Sequence, residues 1–186
     1  MIAHSRTGVA LVICAPSGTG KTTLIKRLVA EFPRFSFSVS CTTRDPRPNE
    51  VQGRDYDFLS KEEFIMRRDA GYFAEWASVH DNYYGTPLVA TRELLANGRD
   101  VLFDIDVQGA SQLRRTIPWA RLIFILPPSR EELEKRLRGR QTETAESLEK
   151  RLSIAHVELI QAHWFNSWIV NNDLDEAWQQ LRAAYI

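Results

Sequence analysis

The sequence predicts an α/β fold in which helices flank a parallel sheet. Three observations predict it. Apolar runs rich in branched residues recur at "GVALVICA", "DVLFDID" and "ARLIFILPP", the pattern of strands buried on both faces. Segments with helical spacing alternate with such runs, which implies βαβ units. The first run also passes through a glycine-containing turn, "PSGTGK", directly into a helical segment.

Taken in order, "GVALVICA" (8–15) is the first strand. Leu24, Ile25, Leu28, Val29 and Phe32 follow with helical spacing, and Pro33 ends that helix. "FSFSVSC" (35–41) alternates apolar and small polar residues and reads as a strand. Residues 42–57, dense in charge, proline and glycine, read as irregular loop. Ser60 stands three before Glu63, a capping box opening a short helix through Phe64, Ile65 and Met66. Residues 71–86 are rich in aromatic and turn residues. Thr86 is the expected N-cap of the next helix, with Pro87 in its first position and Asn97-Gly98 at its end. "DVLFDID" (100–106) is a strand ending in acids, and "ARLIFILPP" (120–128) is one closed by prolines. Ser129 and Glu132 form a second capping box. Residues 138–147 are polar, and a long helical pattern runs from about 147 to 162. "WIVNND" (168–173) is a last short strand, and Leu174–Tyr185 a closing amphipathic helix. Residues 37–85 interrupt the alternation, as an inserted subdomain would.

The 186 residues suffice for one domain with a sizeable core. Twenty-four basic and 24 acidic side chains cancel, which argues against bulk nucleic-acid binding but allows a local basic cluster. Cys14 and Cys41 are too few for a disulfide framework, lack zinc-type spacing, and suit a reducing compartment as small core residues. His156 and His163 share a helix face but have no third ligand, while His4 and His80 stand alone, so a histidine metal site is not expected. The run Val9–Ala15 is too brief for a membrane span and lacks a signal-peptide layout, so the expected location is the cytoplasm. The sequence does not choose between a monomer and a homo-oligomer.

"APSGTGKTT" (15–23) nearly matches the phosphate-binding pattern G-x-x-x-x-G-K-[ST]. Ala15 replaces the first glycine, which is tolerable wherever φ is negative. Gly18 and Gly20 let the backbone approach an anion, and Lys21 reaches the β- and γ-phosphates. The Thr22 hydroxyl is a ligand for Mg²⁺. Ala15, Pro16, Ser17, Gly18, Thr19, Gly20, Lys21, Thr22 and Thr23 are therefore the expected ATP-binding segment.

The acceptor side is more ambiguous residue by residue. Arg44 and Arg47, in a loop with prolines, suit bidentate phosphate binding. The same loop carries Asp45, Glu50, Asp55 and Asp57 and reads equally as solvated mixed charge. Glu75, among aromatics in "GYFAEW", is either a surface carboxylate or an acceptor for the two donors on a guanine edge. Asp106 at a strand end is either an acid holding a Mg²⁺-bound water or a solvated capping group.

Several motifs occur together and in order: "SVS-TTR-PR", "G-DY-F", "F-EWA", "NYYGTP", "DID-QG", "GR-TE" and "VNND-LD". In that combination the chain resembles guanylate kinase, the GMP-phosphorylating branch of the P-loop kinases, over roughly residues 9–185. The resemblance implies phosphorylation of GMP, and of dGMP, by ATP with Mg²⁺. It also implies a P-loop kinase core over about 7–36, 87–135 and 165–186. The GMP-binding subdomain would span about 37–86 and a helical lid about 136–151. It implies that Arg44, Arg47, Tyr56 and Tyr84 hold the GMP phosphate. Ser40, Glu75, Thr86, Asp104 and Asp106 would read the guanine. The lid arginines are matched by Arg136, Arg140 and Arg151, and Asn171 and Asn172 would lie near the adenine. Lys21, Arg44, Arg47, Arg140 and Arg151 would serve the transfer itself. Two positions depart from the most familiar pattern: Ala15, and Gln141 where "GRGT" is usual. Closure of 37–85 and 136–151 over both nucleotides is the expected means of excluding water.

Overall fold

A computed structural model of the protein describes residues 6–36, 38–138 and 145–186. The described chain divides into two compact units.

One unit comprises Leu11–Pro33, Asp104–Val107 and Arg121–Ile186. Its strands are β1 (Ala10–Cys14), β8 (Arg121–Leu126) and β9 (Ser167–Val170), in the order β1-β8-β9, with every pairing parallel. Each residue of β1 is buried, as its unbroken apolar run requires. Helix α1 (Lys21–Glu31) buries Leu24 and Leu28, one face at 3.6-residue period, and Phe32 caps its end just before Pro33. Helix α7 (Leu174–Tyr185) starts at Asp173, whose carboxylate accepts from the amides of Asp175 and Glu176. It buries Ala177, Trp178, Leu181 and Tyr185, and the Tyr185 ring meets Phe32 edge-on at 4.7 Å. Helices α5 (Arg130–Arg138) and α6 (Ala145–Gln161) share an apolar seam of Leu133, Leu137, Ala155, Leu148 and Leu152. Ser129 caps α5 as its capping box predicts, accepting from the Glu132 amide at 3.1 Å.

The other unit comprises Met1–Ala10, Arg34–Phe103 and Gln108–Ala120. Here β2 (Phe35–Ser36) pairs in parallel with β7 (Asp100–Asp104). A second sheet runs β4-β3-β6-β5, from β3 (Cys41–Thr42), β4 (Asp57–Phe58), β5 (Phe73–Val79) and β6 (Asn82–Pro87). "FSFSVSC" is thus not one strand: its start joins β7, its last residue enters the second sheet, and 38–40 lie in neither ladder. Segment 71–86 is mainly a hairpin, closed by His80 and Asp81 at φ 48° and 63°. Two successive positive φ values make a tight turn that suits the twist of the flanking strands. Thr86 ends in that hairpin rather than capping α3 (Leu88–Ala96), whose cap position is Pro87. Helix α2 (Lys61–Asp69) is capped by Ser60 as expected. Helix α4 (Val107–Thr116) follows β7 where no element was predicted. Through Gln112 it clips β5, accepting from the Trp76 amide at 3.0 Å and donating to the Trp76 carbonyl at 2.8 Å. Cys14 and Cys41 are buried and free.

Candidate active site

In the first unit the sequence places a bend between a buried strand and an exposed helix start. Gly18 and Gly20 both adopt φ 90°, the left-handed region open to glycine, and Gly20 occupies the N-cap of α1 without any side-chain cap. The start of α1 therefore presents the positive end of the helix dipole beside a glycine turn, a setting made for phosphate. Thr19 turns inward instead: it is fully buried and its hydroxyl donates to the Pro16 carbonyl at 2.9 Å. Ser17, Thr22 and Thr23 are exposed. Residues 15–23 line a cavity of about 400 Å³, joined by Glu158 of α6.

Charges around this cavity are tightly arranged. Lys21 Nζ lies 2.7 Å from Asp104 Oδ1 at the end of β7. The Cys14 thiol donates to the Asp106 carbonyl at 3.4 Å, and burial pushes that thiol far above its ordinary pKa. Such a thiol stays protonated and unreactive. Burial also pushes the Glu158 carboxyl upward, against the pull of Lys21 and reinforced by Asp106. Sequence reasoning missed Glu158. The available signal was its position seven residues after Arg151, two turns along one face of α6. Arg151 is half-buried on α6. Arg136 on α5 donates to the Glu132 carboxylate at 3.0 Å and to the Asn171 carbonyl at 3.0 Å. Asn171 is buried and its amide donates to the Thr19 carbonyl at 2.6 Å, whereas Asn172 is exposed. Arg140 and Gln141 lie outside the described residues.

The second unit carries Ser40, Arg44, Arg47, Tyr56, Glu75, Tyr84 and Thr86, whereas Asp104 and Asp106 belong to the first. Arg44 makes a two-pronged contact with Glu50, 2.7 Å on each side, and also donates to the Asp45 carbonyl. Glu50 in turn accepts from the Arg47 amide at 2.8 Å, so a single carboxylate organises both arginine positions. The Arg44 guanidinium holds Glu50 well below the usual carboxylate range, at about 2. The Arg44 plane lies over the Tyr56 ring at 5.2 Å, and Tyr56 meets Tyr84 edge-on at 6.3 Å. Arg47 is exposed. Arg44, Tyr56 and Tyr84 thus form one cluster, with Glu50 in Arg44's fork and the Arg47 backbone tied to the same carboxylate.

Glu75 on β5 and Thr86 on β6 are cross-strand partners, each 7% exposed. The Thr86 hydroxyl donates to Glu75 Oε1 at 2.5 Å, which orients a buried acceptor. Ser40 is half-buried, and its carbonyl accepts from the Asp57 amide.

Residues 7–185 match the family model for guanylate kinase. The chain belongs to the guanylate kinase family. Among curated relatives, the guanylate kinase of Oleidesulfovibrio alaskensis is 62% identical over 97% of this chain and 88% of its own. That of Nitratidesulfovibrio vulgaris is 61% identical over 98% and 88%. A solved guanylate kinase from Anaplasma phagocytophilum shares 32% identity and superposes with a TM-score of 0.67, over 97% of this chain and 86% of that one. The α/β architecture with parallel strands is therefore that of the guanylate kinase family. Among the described residues, no helix is long and apolar enough to cross a membrane.

Proposed function

We propose that the protein transfers the γ-phosphoryl group of ATP to GMP, and to dGMP, yielding ADP and GDP. The observation that carries this reading is the buried Glu75 carboxylate held by Thr86 in a guanylate kinase chain that also keeps an intact Lys21 loop. A carboxylate accepts both guanine N1–H and N2–H₂, and adenine offers no such pair of donors. Ser40, Thr86, Asp104 and Asp106 are assigned to the same base. Arg44, Arg47, Tyr56 and Tyr84 are assigned to the GMP phosphate, and residues 15–23 with Arg136 to ATP. Asn172 is exposed and assigned to the adenine end.

The GMP phosphate is already anionic near neutral pH, so no strong base is required. The barrier lies in bringing two polyanions together and in the charge that spreads over the moving group. Lys21, Arg44, Arg47, Arg140 and Arg151 are assigned to supply that positive charge in a chain whose net charge is zero. The exposed Thr22 hydroxyl in the first turn of α1 fits Mg²⁺, with Asp106 acting through water. When bound, Mg²⁺ neutralises phosphate charge and fixes the donor's geometry. Residues 37–86 and 136–151 are assigned as the GMP-binding subdomain and lid that exclude water. Two free, buried thiols accord with a reducing, cytoplasmic setting.

Coupled ADP release, measured with GMP, dGMP, AMP, CMP and UMP in turn, tests the reading. Turnover with GMP and dGMP is expected. Turnover with one of the others but not GMP would overturn it.

A further inference from the structure

Thr19 sits between the two glycines at φ 90°, so the peptide planes on either side are sterically free to flip. Three hydrogen bonds stop that. The Thr19 amide and hydroxyl are tied to the Pro16 carbonyl at 3.4 and 2.9 Å. The Thr19 carbonyl accepts from Asn171 Nδ2 at 2.6 Å. Asn171 is itself locked: its amide donates to Leu126 at 2.8 Å, its carbonyl accepts from Arg136, and it is 4% exposed. The fit to the loop is close, because a Cβ on Gly20 would stand 2.5 Å from Asn171 Nδ2.

We propose that Asn171 is a positioning residue of the phosphate loop, acting on the loop's backbone through its side-chain amide. Among the described residues the peptides are all trans, and in a trans peptide the C=O and N–H point in opposite directions. Anchoring the Thr19 carbonyl on buried Asn171 therefore turns the Gly20 N–H away from the interior. Residues 15–23, Gly20 among them, line the cavity. One phosphate-binding donor is thereby aimed before any nucleotide arrives, which removes an ordering cost from binding. Arg136 extends the support to α5, whose Leu133 and Leu137 also back Gly18, within 3.0–3.4 Å of a Cβ there. One donor of the Asn171 side-chain amide is thus already used by the loop.

The proposal rests on reading residues 15–23 as a triphosphate site, and its test separates the two. Titration calorimetry is run on wild type, Asn171→Ala and Asn171→Asp with inorganic tripolyphosphate, ATP, UTP and GMP. The aspartate variant keeps the shape but sets an acceptor against the Thr19 carbonyl. Tripolyphosphate, ATP and UTP are expected to weaken together, by about tenfold, the scale of one lost buried hydrogen bond. GMP affinity is expected to hold within about twofold, which also certifies folding. A loss confined to ATP, or undiminished tripolyphosphate binding in a folded variant, overturns the proposal. Should both variants lose GMP binding by unfolding, the wild-type Asn171 side-chain amide decides by ¹⁵N NMR. Equal shifts with tripolyphosphate and ATP support the proposal, and a shift with ATP alone overturns it. Failure of wild type to bind tripolyphosphate and ATP overturns the triphosphate reading, and the proposal with it.

Discussion

Lys21 Nζ lies 2.7 Å from Asp104 Oδ1, so the lysine of the 15–23 loop is paired with a carboxylate at the end of β7. On the proposed reading, ATP would have to take Lys21 from Asp104. The pair is partly exposed, at 21% and 44%, so its net worth is no more than about 1 kcal/mol. Asp104→Asn is therefore expected to tighten ATP binding by up to about fivefold, measured by titration without GMP. Lys21→Ala is expected to cut kcat by about 10²- to 10³-fold, the loss typical of one charge-stabilising donor. Unchanged or weaker ATP binding in Asp104→Asn would show that the pair does not compete with the nucleotide.

Glu75 and Thr86 make a sharper case, because both are buried and face each other across the β5–β6 hairpin. In Glu75→Gln the amide oxygen can still accept from Thr86, so the melting temperature should change little. The amide nitrogen, however, would set donors against the donors of guanine. We expect kcat/KM for GMP to fall about 100-fold with the KM for ATP unchanged. Retained preference for GMP over AMP in that variant would remove Glu75 from base reading.

The Arg44–Glu50 pair predicts a pH dependence. Glu50 is held at about 2 against an ordinary value of 4.5, so its folded form favours the charged state. Its contribution is therefore fully present above pH 4.5 and is lost as pH falls through about 2. Acid unfolding of wild type and Glu50→Gln, followed by tryptophan fluorescence, should show a stability gap that is constant above pH 4.5 and closes below it. A gap that persists to pH 2 would assign the difference to something other than this ionisation. Arg44→Lys should not restore GMP affinity lost in Arg44→Ala, because an ammonium cannot reproduce the two-pronged fork.

The legible parts of this fold were those written in local chemistry. The β1 run, the Ser60 and Ser129 caps and the closing helix Leu174–Tyr185 each follow from neighbouring residues, and each stands where the sequence predicts. The hairpin at 73–87 was hidden because its turn is His80-Asp81 rather than the Asn-Gly signal for two positive φ values. The stretch 35–41 misled because its alternation continues across a change of sheet, which only long-range pairing decides. In the candidate site, residue types were readable but partners were not. Nothing local to Glu50 reveals that it fills Arg44's fork, and nothing local to Asn171 reveals a bond to Thr19 across 152 positions.

Gly85 offers a test of how tightly the hairpin is packed behind the proposed guanine contacts. It needs no unusual φ, and its constraint is space. A Cβ there would stand 2.8 Å from Phe73 Cδ1 and 3.1 Å from Phe64 Cζ. Those rings stack on each other at 4.4 Å and both are buried, so neither can yield without disturbing the other. Gly85→Ala should therefore destabilise the unit by about 1–3 kcal/mol, the usual cost of overpacking, and lower the melting temperature by several degrees. Because Gly85 lies between Tyr84 and Thr86, the strain should also weaken GMP binding. ATP affinity, which the proposed function assigns to residues 15–23 in the other unit, should stay unchanged. Calorimetric titration of both nucleotides into Gly85→Ala below its melting point checks this split. Equal loss for ATP and GMP would mean that the strain spreads beyond the hairpin.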